Sequence, residues 1–247
     1  MMGKLSLRSF VCGIGAFLLL WALAAHLLAM PVVPPPSEVF ARLAEKFTGV
    51  ITVHAGYSLM RIALGLSLAV AVGYPIGILM GYFPRVNRIL APMLYLAYPV
   101  PKIALLPVVM LIFGVGESGK ILLIFLIIVF QVVVAVRDAT AGIPAATYEP
   151  LRVLGASFWQ MVRHIVLPAS LPKFITAVRI AMATAISVLF FTETFGTKYG
   201  IGYYIMDAWL RVNYLDMYAG IAVLSAIGLL LFALLDAAEH VFCRWKN

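Results

Sequence analysis

Charge is scarce in this chain: Asp, Glu, Lys and Arg make up 11% of its 247 residues, whereas 64% are hydrophobic. Soluble domains carry about 25% charged and roughly 45–50% apolar residues, and a soluble fold of this size cannot hide so much apolar surface. Intrinsic disorder is excluded on the same grounds. Cysteine is nearly absent. Cys12 and Cys243 stand near the two ends without a C-x-x-C pair, so neither a disulfide framework nor a zinc site is expected. The four histidines (His26, His54, His164, His240) have no metal-ligand spacing and read as incidental. Polar stretches long enough for a separate soluble domain are lacking, and so is the strict alternation of a lipid-facing barrel. What the sequence does have is long apolar runs. At about 20 residues per span they make an all-α, polytopic membrane protein of about five to seven helices, a single membrane domain over 1–247.

Six spans are expected. The first, 10–30, follows Lys4 and Arg8 and is too long for the core of a cleaved signal. Pro31 and Pro34 to Pro36 break it. Ser37 then reads as an N-cap, with Glu38 in the first turn and Val39, Phe40, Leu43 and Phe47 on one face of a short amphipathic helix. Residues 1–50 thus form a first span plus a periplasmic amphipathic segment, and 51–247 the core. The second span, 59–81, carries Gly65, Gly73, Gly77 and Gly81, the last three at a spacing that permits close helix contact. A short helix at 86–96 and a third span at 103–113 are interrupted by Pro92, Pro99, Pro101 and Pro107. The fourth span is 121–136, the fifth 174–195 and the sixth 217–239. A polar stretch at 137–173 and a Gly/Tyr-rich loop at 196–216 connect the last three.

The formal net charge of +8 is topological rather than a sign of nucleic-acid binding, because Lys and Arg accumulate in cytoplasmic segments. With both ends inside, the inner segments hold Lys4, Arg8, Arg85, Arg88, Lys102, Arg137, Arg152, Arg163, Lys173, Arg179, Arg244 and Lys246. That is the larger share of the eighteen basic residues, leaving Arg42, Lys46, Arg61, Lys120, Lys198 and Arg211 outside. The bias gives N-in, C-in and a cytoplasmic 137–173 loop.

Residues 114–120, Gly-Val-Gly-Glu-Ser-Gly-Lys, approach a phosphate-binding loop. Such a loop needs a strand before it and a hydroxyl after the lysine; position 121 is Ile and the flanks are membrane helices. A tight turn with Glu117 and Lys120 in solvent is the expectation. A membrane enzyme would need paired carboxylates, a Ser/His pair or H-E-x-x-H at bilayer depth, and the sequence has none in register. A secondary transporter or channel working without ATP is the alternative, and would show internal repeats and several buried ionisable groups.

The 137–173 loop reads as two short helices. Thr147 is expected to cap the first, with Glu149 and Pro150 in its first turn. Gly155 makes the turn. Ser157 and Gln160 form a capping box for the second, which Pro168 and Pro172 end. Leu151, Leu154, Phe158, Met161, Val162 and Ile165 recur at helical spacing, part packing on the helix ends and part open to a partner.

Glu149, Gly155, Ile165, Leu167 and Pro168 resemble, in identity and spacing, the E-A-A-x-x-x-G…I-x-L-P loop of permease subunits of ATP-binding-cassette (ABC) importers; Pro150 and Leu151 replace its two alanines. The segments Pro34-Pro35-Pro36-Ser37-Glu38-Val39, Pro99-Val100-Pro101-Lys102-Ile103-Ala104-Leu105-Leu106-Pro107, Phe113-Gly114-Val115-Gly116-Glu117 and Gly200-Ile201-Gly202-Tyr203, and Ser58-Leu59-Met60-Arg61 with Gly65, are similar to the nitrate/sulfonate/taurine permease group. The resemblance implies a type I importer (MetI-like) permease fold in the bacterial inner membrane. It implies a homodimer with a second permease copy, two cytoplasmic ATPase subunits that bind ATP and Mg, and a periplasmic or lipid-anchored binding protein. No cofactor and no catalysis are expected in this chain. ATPase coupling would fall to Glu149, Leu151, Arg152, Leu154, Gly155, Ala156, Ser157, Phe158, Ile165, Leu167 and Pro168, with Leu151, Leu154 and Phe158 filling a docking groove. The solute pathway would involve Pro101, Pro107, Thr184, Ser187, Thr192, Glu193 and Thr194. The hydroxyls have as their alternative a bond to their own helix, and Glu193 a gating role, a pairing with Lys198 or a contact with the binding protein. The tyrosines at 199, 203, 204 and 214 and Trp209 read as an interfacial belt, with contact of some of them with the external partner as the alternative.

Overall fold

The computed structural model describes residues 7–246; Lys4 and Asn247 lie outside the described residues. The described elements are helices: α1 (Leu7–Leu28), α2 (Pro36–Lys46), α3 (Thr52–Tyr82), α4 (Pro84–Ala97), α5 (Leu106–Phe113), α6 (Glu117–Ala141), α7 (Glu149–Val153), α8 (Phe158–Met161), α9 (Leu167–Glu193), α10 (Ile201–Leu210) and α11 (Tyr214–Phe242). Five are long and apolar enough to cross a membrane, and α4 with α5 makes a sixth if that pair, bent by 78°, counts as one span. Two compact units emerge, residues 1–61 with 189–236 and residues 62–188 with 237–247.

Several expected boundaries move. α2 starts at Pro36 with Pro35 as its cap, so Ser37 is not the N-cap. Proline suits that first position because its missing N–H has no helical partner anyway. Five residues of wider π-type turn, Phe47–Ile51, join α2 to α3. The 103–113 span is shorter than expected: a 3-10 turn, Lys102–Leu105, precedes the eight-residue α5. Lys102 thus lies at the elbow of the bent α4–α5 pair. Pro168 and Pro172 do not end the second loop helix, since helix runs through both to Glu193. A π turn at Val162–Val166 directly precedes Pro168; widened turns of this kind accommodate a missing N–H. The 196–216 loop contains a further helix, α10, buried along one side by Ile201, Tyr204, Ile205 and Ala208.

In the unit of residues 62–188 and 237–247, α3 lies against α6 through its glycines. A Cβ at Gly65 would lie 2.5 Å from Ile124, one at Gly77 2.6 Å from Val136 and one at Gly81 2.5 Å from Thr140 and 2.6 Å from the Arg137 carbonyl. Small residues let two backbones approach where lipid offers no hydrophobic drive between helices. The facing residues Ile124, Ile128, Val132 and Val136 are fully buried.

In the unit of residues 1–61 and 189–236, three consecutive N–H groups open α10 and need partners. Each finds a side chain: Gly200 donates to His54 Nδ1 (3.0 Å), Ile201 to Ser58 Oγ (2.9 Å) and Gly202 to Glu193 Oε2 (2.8 Å). Glu193 therefore stands at the positive end of α10, where a carboxylate is favoured. Arg61 pairs with its Oε1 at 2.6 Å and also donates to the Tyr199 carbonyl at 2.8 Å. Both side chains are fully buried. Gly200, at φ +131°, leaves room for them; a Cβ there would collide with the Glu193 carboxyl and Arg61. The expected pairing of Glu193 with Lys198 is thus replaced by Arg61, and His54 is a ligand of the backbone rather than incidental. The same unit ties α2 to the start of α11 through Asp216, which accepts from Lys46 at 2.6 Å and from Asn213 at 2.8 Å.

Gly77→Leu is expected to destabilise the protein by about 1–3 kcal/mol or prevent its assembly, whereas Gly13→Ala, with open space around it, leaves thermal unfolding in detergent unchanged or slightly raised. Arg61→Met and Glu193→Met each leave an unpaired buried charge and are expected to cost about 3–5 kcal/mol. The double variant is expected to lose less than the two single losses added, which a double-mutant cycle of unfolding free energies measures.

Candidate functional site

The loop between α6 and α9 is built by two local devices. After Gly142 and the 3-10 turn Ala145–Thr147, α7 starts with Tyr148 as its cap and Pro150 in the first turn. Thr147 does not cap it, because its residue is spent on the preceding turn. α7 closes in a Schellman motif: Ala156 N–H donates to the Leu151 carbonyl and Gly155 N–H to that of Arg152, both at 2.9 Å, and Gly155 takes φ +73°. Ser157 then caps α8 in the expected reciprocal box. Its backbone N–H donates to Gln160 Oε1 at 2.6 Å and its hydroxyl accepts from Gln160 N–H at 3.5 Å.

The apolar stripe divides as the spacing implied. Met161, Val162 and Ile165 are buried, while Leu154 is 82% exposed. Leu151 and Ala156 are half-buried, and Glu149, Arg152 and Ser157 exposed. Leu167 is exposed and Pro168 half-buried. Phe158 is half-buried because its ring packs on Tyr82 (5.1 Å) and Phe83 (5.2 Å) at the end of α3, so it anchors the loop. Tyr148 joins the cluster through Tyr82, and Arg152 lies over its ring at 5.5 Å. Burial, then the neighbouring Tyr82, push the Tyr148 hydroxyl above its ordinary range. Sequence reasoning missed Val153 and Trp159, which are 87% and 75% exposed. Each is a large apolar residue off the stripe in a polar loop, and that was the available signal. Val153, Leu154 and Trp159 form an apolar set around the Gly155 turn.

The pathway candidates separate. Ser187, Thr192 and Thr194 bond back to the carbonyls of Ala183, Leu189 and Phe191 at 3.2, 2.9 and 2.7 Å. Glu193 is held as described above. Pro101 and Pro107 belong to the elbow and the start of α5, and Thr184 lines a cavity beside that elbow. Tyr204, expected in an interfacial belt, is buried, while Trp209 is half exposed. Burial, with Asp216 nearby, pushes the Tyr204 hydroxyl up to about 12. Tyr199 stacks on Tyr57 at 4.8 Å. Lys120 is not in solvent: it is buried and donates to the Val115 and Gly116 carbonyls at 2.7 and 3.3 Å. The 114–120 segment follows a helix and opens α6, without the strand that a phosphate loop requires. Among the described residues no three His, Cys, Asp or Glu side chains gather as a metal site.

The family profile of the binding-protein-dependent transport system inner membrane component matches residues 73–245. The taurine transport system permease protein TauC of Escherichia coli (strain K12) is 33% identical over 92% of this chain and 85% of its own length. SsuC of Bacillus subtilis (strain 168), named for aliphatic sulfonate transport, is 32% identical over 87% of this chain and 79% of its own. The formylaminopyrimidine transport permease protein ThiX of Halalkalibacterium halodurans is 26% identical over 93% of this chain and 92% of its own. Among solved structures, an inward-facing form of the MetNI methionine ABC transporter matches with a TM-score of 0.65 at 20% identity, over 76% of this chain and 94% of that one. The fold is therefore of the MetI type, and the chain belongs to the family of inner membrane components of binding-protein-dependent transport systems.

Proposed function

We propose that this chain forms the translocation pathway of an ATP-driven importer for a small sulfonate, taurine foremost, and couples to a separate ATPase through the segment between α6 and α9. The solute assignment is supported by the likeness to TauC and SsuC. The coupling assignment is supported by one observation above all: Val153, Leu154 and Trp159 stand exposed around a turn fixed on one side by the Schellman motif and on the other by the capping box. Exposed apolar side chains on a rigid turn fit an apolar groove on a partner, and Glu149 and Arg152 beside them offer charges of both signs. In this reading ATP and Mg are bound by two ATPase subunits, this chain holds no cofactor and catalyses nothing, and 1–247 acts as one membrane domain. A second permease copy completes the pathway in the bacterial inner membrane, with both termini cytoplasmic, and a periplasmic or lipid-anchored protein delivers the solute. Two buried ionic groups of the kind an ATP-independent transporter would use are engaged in holding backbone instead: Glu193 at the start of α10 and Lys120 at the start of α6.

Leu154→Asp and Trp159→Asp are expected to leave thermal unfolding of the permease within about 0.5 kcal/mol of the parent, as exposed substitutions do, while lowering ATPase recovery in co-purification at least about tenfold. Gly155→Val is expected to act likewise with a further cost of about 1–2 kcal/mol from its positive φ. Full ATPase recovery together with undiminished uptake in the aspartate variants rejects the coupling role.

A further inference from the structure

The elbow between α4 and α5 leaves a cavity of about 290 Å³ bounded by Tyr98, Lys102, Phe130, Gln131, Thr184 and Val188, among others. That is room for roughly ten waters at about 30 Å³ each. Its walls come from the elbow, from α6 and from α9. Lys102 supplies its one cationic group. Two of the three ammonium N–H groups donate to the Ala97 and Tyr98 carbonyls, at 2.9 and 2.7 Å, which are the unpaired carbonyls where α4 stops. The nitrogen lies 4.8 Å from the centre of the Phe130 ring. Among the described residues no carboxylate forms an ion pair with Lys102.

Lys102 stands at the break of a helix pair apolar enough to be one broken span, and within a span a cation without an anion is costly and marks a functional position. Here the carbonyls fix where the ammonium points without neutralising it, and the third N–H remains for a ligand. Gln131 adds an amide with two N–H donors and Thr184 a hydroxyl. Three donors of different kinds around an otherwise apolar cavity suit a tetrahedral head with three acceptor oxygens and one negative charge. A sulfonate has that shape and charge. We propose that Lys102, with Gln131 and Thr184, forms a transient binding site for the sulfonate group of the transported solute inside the membrane. The inference rests on the importer reading above and names the residues that select for an anion within it.

The test uses the permease reconstituted in proteoliposomes with its ATPase and binding protein, and radiolabelled taurine as probe. Lys102→Met is expected to lower uptake at least about tenfold, in keeping with the loss of a charge-assisted hydrogen bond. Lys102→Arg retains the charge and is expected to stay within about threefold of the parent. Gln131→Leu and Thr184→Val are expected to lower uptake by about threefold to tenfold. In all four variants the ATPase is expected to co-purify and its stimulation by the loaded binding protein to persist, which separates solute recognition from assembly. Parental uptake in Lys102→Met, or equal losses in Lys102→Met and Lys102→Arg, overturns the site while leaving the importer reading intact. If Lys102→Met does not assemble, unchanged uptake in both Gln131→Leu and Thr184→Val overturns it. Absence of taurine or other sulfonate uptake by the parent complex overturns the solute assignment and this site together.

Discussion

In hydrocarbon a backbone N–H or carbonyl has no water to turn to, and each one left unpaired costs several kcal/mol. At three of the places where this chain leaves a helix, polar side chains take up the exposed groups. At the start of α10 the work is divided among His54, Ser58 and Glu193, with Arg61 neutralising the carboxylate and holding the Tyr199 carbonyl. At the end of α4 it falls to Lys102, and at the start of α6 to Lys120. The scarce charges of the sequence are thus concentrated at the ends and elbows of helices. A buried ion pair is weak support for stability by itself. These groups instead bond to a non-helical backbone course that has no other hydrogen-bond partners within a helix.

That division explains what was legible in the sequence. Regular features showed through because their cause is local: the small-residue spacing on α3, the Ser157–Gln160 box and the Gly155 turn all depend on neighbours within a few residues. Lys120 is buried where hydropathy puts a lysine in solvent, because it folds back on the Val115 and Gly116 carbonyls five and four residues away. Arg61 and Glu193 are 132 positions apart, and no periodicity links them. His54 has no metal-ligand spacing, and its partner, the backbone N–H of Gly200 146 positions away, leaves no local mark in the sequence. α10 was hidden by a glycine- and tyrosine-rich composition that reads as loop; its first turn is stabilised in trans by side chains from α3 and α9. Pro168 escaped the expectation for a related reason, since the π turn at Val162–Val166 just before it absorbs what a proline breaks in an isolated helix.

The loop between α6 and α9 combines two properties that a coupling element needs. It is stiff, because its turn is closed from both sides by hydrogen bonds and its Phe158 ring is locked among Tyr82 and Phe83. It is also unsatisfied, because Val153, Leu154 and Trp159 remain in the open. Stiffness without exposed apolar surface would make only a structural turn. Exposed surface without stiffness would bind a partner but absorb its motion.

From Phe158 to Thr184 the backbone is one unbroken helical run, so the exposed turn and one wall of the Lys102 cavity belong to the same rod. The other walls, Lys102 at the elbow and Phe130 and Gln131 on α6, do not. In the proposed coupling, a push on the Trp159 turn would move Thr184 against a lysine whose position is set by carbonyls at the end of α4. A ligand held by donors from three separate elements binds well only in the arrangement that brings all three together, and it is released when one withdraws. Differential affinity of that kind is what allows a conformational change to move a solute. The π turn at Val162–Val166 lies between the push and the wall, where the helix is least regular.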